Sequence, residues 1–285
     1  METSQKKSTM YKFAPTKSIS VGGLMFSYRE LVEAGGIPVI FLNHLAATLD
    51  NCDPRIMDGI ASKHHIIAFD NRGVGASEGK TPLTIAEMAK DAISFIKALG
   101  YKKIDLMGFS MGAFIAQEIL LQEPQLIRKA IMTGTGPAGG KGIENVTKIT
   151  IWDIFRGYLT FRDPKFYLFF NQNTNGKRSA KAFLARLKER TEGRDKEITI
   201  TALRNQLKAI HAWGLQQPLD LSVIEQPVLI ANGDNDRMVP SSNTYDLAKR
   251  IKNSELIVYK DAGHGGIFQY HEEFVDSALA FLGKN

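Results

Sequence analysis

One serine, one histidine and two aspartates in this sequence have the types and settings that nucleophilic catalysis needs. The serine is Ser110, in Gly108-Phe109-Ser110-Met111-Gly112, between an apolar run, Ile104 to Phe109, and an apolar helical pattern that starts at Met111. A serine at a strand-to-helix elbow must adopt strained backbone angles that lift its hydroxyl clear of the sheet, and the flanking glycines leave room for neighbouring chain. A serine hydroxyl is a weak nucleophile near neutral pH and needs a base that is itself oriented by a third group. Of the six histidines, His264 is the candidate base. It follows the run Glu255 to Tyr259 within Asp261-Ala262-Gly263-His264-Gly265-Gly266, a loop whose glycines let an imidazole reach across a sheet edge. His64 and His65 precede a strand pattern, His211 falls in a helical segment and His271 opens a helix, settings that suit structural roles. For the third group, Asn232 to Pro240 follows the run Pro227 to Ala231 and offers Asp234 and Asp236, between which spacing alone does not choose. The run Lys129 to Thr133 is followed by Thr135, Gly136 and Pro137, with no carboxylate nearby. One donor to a developing oxyanion is expected at the backbone N–H of Met111, at a helix N-terminus where the dipole also favours negative charge.

These residues need a scaffold of strand ends. Short apolar, β-branched runs recur at Leu24 to Arg29, Pro38 to Leu42, Ile66 to Asp70, Ile104 to Phe109, Lys129 to Thr133, Pro227 to Ala231 and Glu255 to Tyr259. Between them Thr84 to Leu99, Met111 to Gln122, Asn243 to Ile251 and Glu272 to Leu282 have helical periodicity. Such alternation predicts βαβ units around a mostly parallel sheet, an α/β fold. Thr84 with Glu87 forms a capping-box pattern, and Gly100 stands where a helix ends in a left-handed residue. The alternation breaks from 136 to 222, where a Gly-rich start leads into helical periodicity with many aromatics, Trp152, Phe155, Tyr158, Phe161, Phe166, Tyr167, Phe169 and Phe170. The expected organisation is therefore 1–135 and 223–285 as two parts of one core, with 136–222 inserted as a helical unit.

The chain has 285 residues, 44% of them hydrophobic, enough for a core that needs no staples. Its single cysteine, Cys52, excludes a disulfide framework and a thiolate zinc cluster, suits a reducing, cytoplasmic setting, and reads as a small core or loop residue. No apolar run approaches the roughly 20 residues that span a bilayer, and the polar stretch Met1 to Lys12 does not read as a secretory signal. No metal-ligand set or cofactor motif is present. The net charge of +6 raises the question of a nucleic-acid or membrane partner. Its location argues against both: 136–222 holds 15 Lys and Arg against 8 Asp and Glu, which leaves 21 against 22 elsewhere. The basic residues recur at helical spacing with acids between them, as on a solvated helix surface; the alternative is a field that draws anionic substrates toward Ser110.

The order serine, aspartate, histidine, each after a strand, resembles that of α/β-hydrolases of the esterase, haloperoxidase-like and carbon–carbon bond hydrolase group, from about Leu24 to the end. The family's acid loop reads GxxDxxVP, which Gly233 to Pro240 matches, so the resemblance selects Asp236. Asp70 to Ser77 matches the family's DxRGxGxS turn, in which Asp70 and Arg72 hold loops together. The resemblance places the second oxyanion donor after the third strand, where relatives read His-Gly-X and this chain reads Leu42-Asn43-His44-Leu45-Ala46. The donor is then Leu45 or Ala46; relatives carry a Trp seven residues after X, and Cys52 at that spacing favours Leu45. A glycine tolerates backbone angles that His44 would not, and His44 is either a substrate contact or packing behind the loop. The implied activity is hydrolysis of an ester or lactone through an acyl-enzyme. Ser110 argues against the dehalogenases and epoxide hydrolases of the fold, which use a carboxylate at the elbow. Perhydrolysis and carbon–carbon cleavage share the triad, and a small-molecule receptor with an intact triad is the reading from a different class. The insertion resembles the family's cap, whose aromatics suit a bulky apolar substrate, a macrolide-type lactone being one candidate.

Overall fold

The computed structural model describes residues 10–31 and 36–284; most of the polar stretch Met1 to Lys12 lies outside them. Eight strands form one sheet: β1 (Lys17–Val21), β2 (Leu24–Leu31), β3 (Val39–Leu42), β4 (Ile66–Phe69), β5 (Ile104–Phe109), β6 (Ile127–Thr133), β7 (Val228–Gly233) and β8 (Ser254–Tyr259). Their order is β1-β2-β4-β3-β5-β6-β7-β8. The pairs β1–β2 and β2–β4 are antiparallel and all the others parallel. Strands β3, β4, β5 and β7 are buried along their whole length, as expected of parallel strands covered on both faces. That burial is why they read as unbroken apolar runs. The hairpin β1–β2 turns on Gly22 and Gly23, both at positive φ, the conformation that matches strand twist in a two-residue turn.

Five helices surround the sheet before the alternation breaks or after it resumes, with a short one at the histidine loop. They are α1 (Pro54–Ala61), α2 (Ile85–Ala98), α3 (Met111–Gln122), α8 (Ser242–Arg250), the single-turn α9 (Gly266–Gln269) and the C-terminal α10 (His271–Gly283), of which α1 and α10 pack together and α2 packs on α3. Helix α3 is buried on almost every side against β3, β5 and β6. Thr84 accepts from the Glu87 amide at 3.2 Å, and Gly100 ends α2 at φ 85°, as the start and stop residues predict.

Between β6 and β7 lie four more helices, α4 (Val146–Thr160), α5 (Lys165–Leu168), α6 (Thr174–Arg186) and α7 (Ile200–Leu215), and no strand. This segment is tied to the rest by buried polar links. Arg186 of α6 reaches both carboxylate oxygens of Asp53, the residue that caps α1, and the carbonyl of Phe268. Arg237 pairs with the buried Asp153 of α4 and donates to the Tyr167 carbonyl at 2.9 Å. Gly265 N–H donates to the Phe169 carbonyl at 2.7 Å, joining the segment to the loop that carries His264. Asp70 and Arg72 act within loops, as the turn motif implies: Asp70 accepts from the Leu49 amide, and Arg72 pairs with Asp91 of α2. Among the described residues no helix is long and apolar enough to cross a membrane.

Candidate active site

Ser110 is the hinge between β5 and α3. Its φ of 56° and ψ of −119° are angles that L-residues rarely adopt, a conformation that costs on the order of 1–3 kcal/mol and is held by its surroundings. Its N–H donates to the Thr133 carbonyl at 2.8 Å, and its own carbonyl accepts from Ala113 and Phe114. The flanking glycines are needed for space: a Cβ on Gly108 would meet the Gly112 carbonyl at 2.6 Å, and one on Gly112 would run into the carbonyl of Leu42 on β3. The elbow therefore sits hard against the loop after β3, which brings that loop to the serine.

His264 follows β8 and is buried against Phe109, Phe169 and Ser110. Its Nε2 is 2.9 Å from Ser110 Oγ and its Nδ1 is 2.7 Å from Asp236 Oδ2. With the Nδ1 proton directed at a carboxylate, Nε2 carries the lone pair that accepts from the serine hydroxyl. Asp236 Oδ1 accepts the amides of Met238 and Val239 at 2.8 and 3.0 Å, and Asn232 donates to Oδ2 at 3.1 Å. These bonds leave the carboxylate one orientation. Asp234 points elsewhere, accepting from the Ala262 amide at 3.2 Å and from Asn235. Of the two aspartates left open by spacing, the structure brings only Asp236 to His264.

The N–H of Met111 heads α3 beside Ser110. In the loop after β3, Ala46 stands at φ 61°. Strain thus falls on Ala46, two positions after His44, the residue that aligns with the glycine of His-Gly-X when Leu45 is the donor. The Ala46 N–H donates to Gln206 Oε1 at 2.8 Å, whereas the Leu45 N–H has no partner among the described residues. His44 is buried edge-on to Phe109 and Phe169. Burial, reinforced by the Lys165 ammonium, pushes its pKa down to about 3, so it is neutral. Its Nδ1 donates to the Leu45 carbonyl at 2.7 Å, which leaves Nε2 a buried acceptor without a partner among the described residues. Cys52 is buried, its thiol pushed up to about 12 by desolvation, and packs beside Asn43.

A cavity of about 130 Å³ opens over Ser110 and His264, lined by Leu45, Phe114, Ile154 and Val239 among others. It is mostly apolar. A wider cleft of about 780 Å³ shares Ala46, Asp163 and Lys165 with it and carries Arg162, Lys181, Lys188, Arg194 and Lys196 beside Asp50, Asp195 and Glu197, a modest excess of cations. Gln206 has no counterpart in the residue patterns above. It lies on α7, 160 positions from the amide it holds, and a glutamine inside a helical stripe gives no local sign of such a contact.

Residues 37–269 match the family described as the alpha/beta hydrolase fold. The chain belongs to that family. An alpha/beta hydrolase fold protein from Chitinophaga pinensis has a solved structure that superposes at a TM-score of 0.92, with 37% identity over 97% of this chain and 100% of that one. The putative non-heme bromoperoxidase BpoC of Mycobacterium tuberculosis is 25% identical over 257 residues, 87% of this chain and 94% of its own. A poly(3-hydroxyalkanoate) depolymerase of Ectopseudomonas oleovorans is 26% identical over 259 residues, 86% of this chain and 84% of its own. Relatives of this α/β-hydrolase thus include enzymes of several hydrolytic and peroxide-linked types.

Proposed function

We propose that this α/β-hydrolase is a serine enzyme that cleaves a carboxylic ester or lactone through an acyl-enzyme. The observation that carries the reading is the relay Ser110 Oγ to His264 Nε2 at 2.9 Å and His264 Nδ1 to Asp236 at 2.7 Å, at the floor of an apolar cavity. Ser110 attacks the carbonyl carbon as His264 takes its proton, and Asp236 holds the tautomer and stabilises the imidazolium. The N–H groups of Met111 and Leu45 receive the oxyanion. Leu45 is preferred over Ala46 because the Ala46 N–H is already committed to Gln206. His264 then protonates the departing alcohol, and water activated by the same residue releases the acid.

The segment 136–222 acts as a cap, since α4 and α5 supply Val146, Ile154 and Lys165 to the cavity wall. A chamber of 130 Å³ is small beside the roughly 300–1,000 Å³ that holds a drug-sized ligand. The chamber therefore takes a compact apolar group, and the remainder of the substrate lies in the larger cationic cleft. A macrolide ring would have to sit in that cleft, with only its reacting ester reaching Ser110.

Ser110→Ala is expected to lower turnover of a small activated ester by on the order of 10⁴ to 10⁶, and a fluorophosphonate should label Ser110 alone. Near-wild-type hydrolysis by the purified variant would overturn the scheme. The likeness to a bromoperoxidase favours perhydrolysis as a second reading; product analysis with and without hydrogen peroxide separates a peracid from the plain acid.

A further inference from the structure

Helix α4 presents an apolar face that nothing among the described residues covers. Its stripe Val146, Thr150, Asp153 and Gly157 is buried against the rest of the molecule. The opposite side, where a surface helix is normally polar, carries Ile151, Trp152, Phe155, Tyr158 and Leu159, followed by Phe161 at the helix end. Trp152 is 61% exposed, Tyr158 79% and Phe161 96%. A helix that is apolar on all sides belongs in an interior. At ~150–250 Å² per aromatic side chain, the exposed parts of the four aromatics present roughly 450–700 Å², and Ile151 and Leu159 add to it. The patch exceeds the ~300–600 Å² of the largest patch on an ordinary monomer and approaches the ~800 Å² per partner of a standard interface.

We propose that this face is the interface of a homodimer, in which α4 packs against α4 of a second copy. Spacing and charge both favour that occupant. Residues 151, 152, 155, 158 and 159 fall at the three- and four-residue steps of a helix–helix seam. The centre of the patch has no charged side chain, and it is rich in the aromatics that specific interfaces favour. A lipid surface is the less suitable occupant, because a helix lying in a membrane interface is rich in Lys and Arg for the headgroups. The cations here are turned aside: the Arg156 guanidinium lies 4.0 Å over the Tyr167 ring and that of Arg162 lies 4.5 Å over Phe166, which leaves Lys148 as the helix's remaining cation.

Sedimentation equilibrium on the full chain at micromolar concentration is expected to give twice the monomer mass. The double variant Trp152→Glu/Tyr158→Glu should be monomeric, with unchanged far-UV circular dichroism and unchanged hydrolysis of a small soluble ester. Neither residue lines the cavity, so ester turnover reports separately on the catalytic reading. Should that variant fail to fold, Tyr158→Cys is expected to give a covalent dimer on mild oxidation, the native Cys52 being buried. A monomeric wild-type chain, a charge-bearing variant that still dimerises, or a monomer that binds phosphatidylglycerol vesicles would each overturn the proposal.

Discussion

Replacing Gln206 by leucine separates positioning from stability at the proposed second oxyanion donor. Gln206 is fully buried; its Oε1 holds the Ala46 N–H at 2.8 Å, while its Nε2 has no partner among the described residues. Leucine removes the acceptor and leaves the half-buried Ala46 amide unpaired, a cost of about 1 kcal/mol or more. The same change removes an orphaned donor, whose relief is of similar size, so the two effects nearly cancel and the melting temperature should move by only a few degrees. Catalysis has no such cancellation. Ala46 holds a left-handed φ of 61° that an alanine leaves readily once its tether is gone, and Leu45 moves with it. Complete loss of an oxyanion donor costs on the order of 10² to 10³ in kcat, so a displaced donor is expected to cost about 10- to 100-fold. KM should change little, because the bond forms only in the transition state. Gln206→Glu keeps an acceptor oxygen and should recover most of kcat while losing stability to a buried charge. Steady-state kinetics on a small ester, run beside thermal melts, would refute the reasoning if Gln206→Leu kept kcat within about threefold, or if both variants lost activity in proportion to stability.

The remaining predictions are independent of Gln206. Asp236→Asn should lower kcat by on the order of 10⁴ through the wrong imidazole tautomer, whereas Asp234→Asn should leave turnover within a few-fold; equal losses in the two would contradict the placement of His264. Asp58, half-buried under the amide of Tyr11, has its carboxyl pushed up to about 6 by desolvation. Its folded state therefore holds the proton more tightly than the unfolded state. The stability this confers is present below the unfolded value near 3.8 and is lost as pH rises through about 6. Asp58→Asn should accordingly melt higher than wild type at pH 7 and show a shrinking advantage toward pH 4, and a pH-independent difference would count against the shift. The cationic cleft predicts that added salt lowers kcat/KM for an ester bearing a second, anionic group more than for its neutral analogue; equal salt responses would remove the cleft from substrate attraction.

The parts of the fold that were legible in the sequence are those whose burial is uniform. Strand β5 and helix α3 match the ranges Ile104 to Phe109 and Met111 to Gln122, because both lie in the interior and, apart from Asp105, Gln117, Glu118 and Gln122, their positions are apolar or small enough to pack there. Strand β1 is hard to read because its Lys-Ser-Ile-Ser-Val has only Ile19 and Val21 on a half-buried face, an alternation too short to stand out. The Gly22-Gly23 pair after it was the usable clue, since a two-glycine loop between extended runs marks a hairpin. Helix α1 is only eight residues long, too short for periodicity to stand out, although Asp53 capping it and Pro54 at its first position are start signals in their own right.

At the site, legibility follows whether a contact is local to a motif. Ser110 and its glycines are adjacent in sequence, and the crowding that demands them, Gly112 against β3, acts on the motif itself. Asp236 is held by amides two and three residues ahead, so the acid loop encodes its own orientation. The loop after β3 is different. It departs from the family pattern at His44, and its strained residue, Ala46, is held by a glutamine from a helix far along the chain. No rule of spacing links those positions; they meet because α7 of the inserted segment lies over the strand ends. The same holds for the positive charge. Arg186 and Arg194, counted with a solvated basic surface, are used by Asp53 and Asp50 of the core, and the cleft keeps only a small positive excess, since Arg162, Lys165, Lys181, Lys188 and Lys196 share it with Asp163, Asp195 and Glu197. A core that encodes its serine and acid locally while its oxyanion loop depends on the inserted segment can vary its substrate by varying that segment. The coupling through Gln206 sets the limit: changes in α7 that move the glutamine should alter rate as well as specificity.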